Sequence, residues 1–127
     1  MKRTTAAALI ALLALGAVAA LAGCGLREQA VENTTGKIDV AKDATVKAQL
    51  VMIKTGIDAQ IATTGAAPAD ASQATLGGLV DPWPTNPFTG EPMREGEAPG
   101  DYTYSPGAGT SYTLVVHLSD GTTSAAP

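Results

Sequence analysis

The stretch Asp81-Pro82-Trp83-Pro84-Thr85-Asn86-Pro87-Phe88-Thr89-Gly90-Glu91-Pro92-Met93 decides how this chain folds. Its thirteen residues hold four of the eight prolines, the only Trp and the only Phe. Asp81, Trp83 and Asn86 each precede a proline. The proline ring disfavours the α region for such residues, so the backbone must run extended or turn. Thr89-Gly90 supplies a further turn. Trp83, Phe88 and Met93 carry enough apolar surface to pin a loop of this kind against neighbouring elements. The stretch therefore reads as a packed corner; a proline-rich ligand presented through Pro84-x-x-Pro87 is the alternative.

A helical pattern precedes this corner. From Asp39 to about Thr64, Val46, Leu50, Ile53, Ile57 and Ile61 recur at steps of three and four and draw one apolar stripe. Asp43 with Lys47, and Lys54 with Asp58, are spaced as i,i+4 pairs on other faces. Gly65 suits the residue after the last helical turn, and Pro68 prevents continuation. Gly56 inside the pattern costs about 1 kcal/mol relative to Ala; it reads either as room for a close neighbour or as a tolerated imperfection. The stripe reads as a core face, with a partner groove or coiled-coil seam as the alternative. Residues 66–80 read as a loop with one short helical turn at Ser72–Leu76.

A two-strand pattern follows the corner. Arg94–Gly100 is a polar loop; Asp101–Ser105 and Ser111–Leu118 alternate with period two around the turn Pro106-Gly107-Ala108-Gly109. Tyr112, Leu114, Val116 and Leu118 share one face, and Thr113, Val115 and His117 the other. Ser119-Asp120-Gly121 is a second turn, and residues 122–127 read as a loose tail. The fold class expected is α+β: one long N-terminal helix packed on a short antiparallel sheet, with the Pro/aromatic loop between them.

The first residues set the compartment. Lys2-Arg3 precedes an apolar run from Ala6 to Gly23, which ends in Leu21-Ala22-Gly23-Cys24. A charged segment, an apolar segment and small residues at the cut describe a secretory signal. The order Leu-Ala-Gly-Cys resembles the lipobox of bacterial lipoproteins. That resemblance implies cleavage between Gly23 and Cys24 and diacylglycerol and acyl chains on Cys24, which becomes the new N-terminus. A retained membrane helix is the rival reading, since about 18 apolar residues can just span a bilayer. The expected organisation is a signal peptide at 1–23, the lipidated Cys24 and a polar tether at 24–36, a domain at 37–121 and the tail. A helix beginning inside 25–36 is the alternative to the tether.

Removal of the leader takes Lys2 and Arg3 with it. Six basic residues then face twelve acidic ones, a net charge of −6 against −4 for the whole chain. An acidic domain repels phosphate backbones and anionic head groups, so no nucleic-acid partner is expected. The lipid anchor, rather than a basic patch, is expected to hold the protein on the exported side of the bacterial cell envelope. With Cys24 lipidated, no disulfide can form.

The order of helix, variable loop, Trp83–Met93, Gly100–Tyr104, Gly109–Leu114 and Asp120-Gly121 resembles the globular part of type IV pilin-like proteins, especially the pseudopilins of type II secretion. The resemblance covers about residues 39–121. It implies a structural or interaction role in a secretion or pilus-type assembly, with pilin-like or secretion-system proteins as partners, or self-association. A ligand- or peptide-binding surface lipoprotein is the alternative. Two departures stand out. A lipobox takes the place of the prepilin leader and of the apolar helix through which pilins polymerise. Only Asp120 follows the last strand, where major pseudopilins hold calcium. Calcium takes six to eight oxygens, so none is expected; Asp101 and Asp120 are the residues that would serve.

No reaction chemistry stands out. His117 lies mid-strand, and one His does not make a typical zinc site. Ser111, His117 and Asp120 could be written as a triad, but none sits in a nucleophile-elbow context. No glycine-rich phosphate loop precedes a helix. No catalytic residue, metal or cofactor beyond the lipid on Cys24 is expected, and an enzyme is not the reading. Cys24→Ser is expected to move the protein from the membrane to the soluble fraction on cell fractionation. Retention in the membrane would favour the uncleaved helix.

Overall fold

The structure, a computed structural model, describes the backbone from Thr5 onward and side chains from Asn33 to Pro127. It divides into two units, Met1–Ile38 and Asp39–Pro127. Five elements follow in order: helix α1 (Thr5–Thr64), the short helix α2 (Gln73–Leu76), and strands β1 (Tyr102–Pro106), β2 (Tyr112–His117) and β3 (Thr123–Ala125). The class is α+β, with a long helix and one antiparallel sheet in the order β1-β2-β3. Asn33–Gly36, within the segment read as tether or helix start, are helical. Gly23 and Cys24 lie outside the residues whose side chains are described.

Within Asp39–Pro127, the apolar stripe of α1 forms one wall of the core. Val46, Leu50, Ile53 and Ile57 are fully buried, and Ile61 packs against their cluster. The helix stops where expected: Gly65 takes φ +78° and its N–H donates to the Ile61 carbonyl at 2.8 Å. Only a residue without Cβ adopts that conformation cheaply.

The opposite wall is the inner face of the sheet. Tyr102 and Tyr104 on β1, Leu114 and Val116 on β2, and Leu118 just beyond its end are buried, with Tyr104 opposite Leu114 and Tyr102 opposite Val116. Period-two alternation sends Thr103 and Thr113 outward. Residues 122–127 are not the loose tail read from sequence. Thr123–Ala125 pairs with β2 as a third strand, Val116 opposite Ser124, and Ala126 packs against the core. A tight turn makes this possible, with Leu118 N–H donating to Thr122 carbonyl at 2.8 Å and Gly121 at φ +81°.

Two carboxylates of α1 fasten helix to sheet. Asp43 accepts from the backbone N–H and the hydroxyl of Ser119, at 2.9 and 2.7 Å. It turns to this loop rather than to Lys47. Asp58 accepts from Tyr112 Oη at 2.6 Å and from Lys54 at 2.8 Å. Since 43 meets 119 and 58 meets 112, β2 runs antiparallel to the helix.

The Pro/aromatic stretch is the corner between these walls. It folds back on itself: Met93 N–H donates to Pro84 carbonyl, Asn86 N–H to Glu91 carbonyl, and Thr85 bridges Pro92. Trp83 Nε1 donates to Met93 carbonyl at 2.8 Å, so the indole packs its apolar body on the core with its polar edge satisfied. Pro84 is buried, which removes it from any docked proline-rich ligand.

The most buried side chains of the stretch are Asn86 and Met93, not the aromatics. Asn86 Oδ1 accepts from Phe88 N–H at 2.9 Å, and its Nδ2 donates to Pro99 carbonyl at 3.0 Å and to Asp101 at 3.3 Å. Gly100, at φ +83°, lies against this amide; a Cβ there would overlap it. Asn86→Ala would strand a buried N–H and a carbonyl, each costly without a partner. A loss of about 2–4 kcal/mol in urea-unfolding free energy is expected, and a change below about 0.5 kcal/mol would show that the amide is not holding the corner.

Candidate functional site

Ser111 and His117, which could be written into a triad, are kept apart. Ser111 donates to Ala108 carbonyl at 2.9 Å before β2, while His117 closes that strand. Six residues along a strand separate them by about 20 Å. His117 Nε2 instead meets Thr103 Oγ1 at 2.9 Å on the outer sheet face, and Asp120 accepts from Thr122 N–H and hydroxyl at 2.9 and 2.6 Å. These bonds stabilise the carboxylate and lower the Asp120 pKa, the hydroxyl foremost. Asp101 is buried against Asn86, with Arg94 Nε 3.8 Å from its carboxylate. Among the described residues, no group of three or more His, Cys, Asp or Glu is placed to hold a metal ion.

A surface of another kind emerges on α1. Between Ala41 and Thr64 the helix has five charged residues, Lys42, Asp43, Lys47, Lys54 and Asp58. At about 3.6 residues per turn they fall within less than half of its circumference, and each is drawn toward the sheet or the corner. Lys42 sits over the Phe88 ring, 5.2 Å from its centroid. Asp43 holds Ser119, Asp58 accepts from both Tyr112 and Lys54, and Lys47 lies close enough to Asp120 to help lower its pKa.

Between Ala41 and Thr64 the back of the helix is left without charge; Lys37, one turn earlier, is the charged residue nearest that face. Ala44, Ala48, Val51, Met52, Thr55 and Ala62 are all exposed there. Val51 is 38% and Met52 39% accessible, and beside them Leu79 is 48% accessible. The threonines add little polarity, because Thr45 and Thr55 turn their hydroxyls into the Ala41 and Val51 carbonyls at 3.0 and 2.8 Å. Gly56 draws the flanking segment in: a Cβ there would overlap Val80. Of the two readings of this helix-weakening glycine, a close neighbour and a tolerated imperfection, the first holds. Met52, Thr55, Leu79, Val80 and Asp81 surround a depression of about 210 Å³ on this face.

A larger cleft, about 540 Å³, opens elsewhere between Asp70–Gln73 and Glu91–Glu95, with Tyr102 among its lining residues. Its walls are tied together. Tyr102 Oη donates to Ala71 carbonyl at 2.6 Å, and Ala71 N–H donates to Glu95 Oε1 at 3.2 Å. Asp70 accepts from the hydroxyls of Ser72 and Thr75 at 2.5 and 2.7 Å, which lowers its pKa and fixes the start of α2. Asp70, Glu91, Glu95 and Arg94 make the lining polar and net negative.

No family description, curated protein or solved structure matches the chain. The uncharged face was legible in the sequence only through the confinement of the five charges between Ala41 and Thr64 to one arc.

All three tyrosines act as donors: Tyr102 to Ala71, Tyr104 to Pro68 carbonyl at 2.7 Å, and Tyr112 to Asp58. Burial raises each phenol pKa above 10, with Glu95 reinforcing Tyr102 and Tyr104 and Asp58 reinforcing Tyr112. A raised folded-state value stabilises the fold fully below the unfolded phenol pKa near 10. That contribution is lost as pH rises above it. Ultraviolet titration is expected to show less phenolate near pH 10 than three free tyrosines would give. Independent ionisation near pH 10 with the fold retained would contradict these bonds.

Proposed function

We propose that this protein is an exported bacterial lipoprotein, anchored through lipid on Cys24, whose α+β head is a structural or interaction component of a secretion or pilus-type envelope assembly. The observation that carries this reading is the uncharged, exposed back face of α1. An ordinary solvent face of a helix is rich in charge, and between Ala41 and Thr64 this acidic chain places its helix charges elsewhere. The lipobox-like Leu21–Cys24 supports the anchoring, and the pilin-like succession from the Trp83–Met93 corner to the tyrosine-bearing hairpin supports the class of assembly. Partners are then pilin-like or secretion-system subunits, or further copies of this chain. A side surface of the helix suits such contacts even though the lipobox replaces the apolar helix by which pilins polymerise.

The second reading, a ligand- or peptide-binding surface lipoprotein, is favoured by the cleft between Asp70–Gln73 and Glu91–Glu95. The readings separate by crosslinking in native membranes. Ala48→Glu and Met52→Glu change exposed positions and are expected to alter stability by no more than about 0.5 kcal/mol. Both are expected to abolish crosslinks to neighbouring subunits that the wild-type chain forms. Crosslinks that survive both substitutions, or a melting shift with small ligands and no protein neighbour, would transfer the argument to the cleft.

A further inference from the structure

We draw no further inference here: the strongest candidate, the acidic cleft between the Asp70–Gln73 turn and the Glu91–Glu95 segment, is a cluster of exposed carboxylates with nothing in the structure pointing to what it would bind.

Discussion

The Asn86 amide is the constraint on which the domain's shape depends. A loop with four prolines lacks four backbone donors, so it cannot knit itself into a sheet. It must be held by side chains and by the few amides it keeps. Asn86 does this at the one point where the corner meets the approach to β1, with its oxygen on Phe88 and its nitrogen on Pro99 and Asp101. Gly100 leaves the room the amide needs, and its own N–H donates to His117 carbonyl at 2.8 Å, carrying the register on to β2. A buried polar group linked in this way specifies one arrangement, since any alternative leaves donors and acceptors stranded.

The position of the sheet then determines where the helix spends its charge. β2 runs antiparallel to α1, and its two ends fall beside Asp43 and Asp58, which take up Ser119 and Tyr112. Lys42 covers Phe88 at the corner. Each of these contacts is partly solvated and modest in energy, but together they orient the helix about its axis. The other side of the helix is left with alanines, Val51, Met52 and self-bonded threonines. A fastening problem and an exposed neutral surface thus have one physical origin.

Much of this was legible in the residues. The 46–61 stripe, the Gly65 stop, the turn at Ser72–Leu76 and the alternation of Tyr112–Leu118 all follow from local periodicity and backbone preference. Asn86 was not legible, because an asparagine before proline in a turn-rich stretch looks like many others. Its partners arrive from residues 99 and 101, and no local pattern announces them. β3 was missed for a related reason: Thr-Ser-Ala carries no apolar alternation, and its pairing comes from the open edge of β2. The i,i+4 rule found Lys54–Asp58 but misplaced Asp43, which had a tertiary partner available. Gly56 was legible as a cost that a close neighbour would explain, but the identity of that neighbour, Val80, comes from the fold.

Lipid on Cys24 would consume the chain's only thiol, so a cysteine introduced elsewhere reports alone. The most direct measurement is the rate of maleimide labelling of Ala48→Cys in native membranes and in the purified, detergent-solubilised protein, beside Thr113→Cys on the outer sheet face. Ala48→Cys is expected to be protected in membranes and reactive once purified, while Thr113→Cys reacts alike in both. Equal labelling of Ala48→Cys in the two preparations would contradict the assignment of the helix face as an interface.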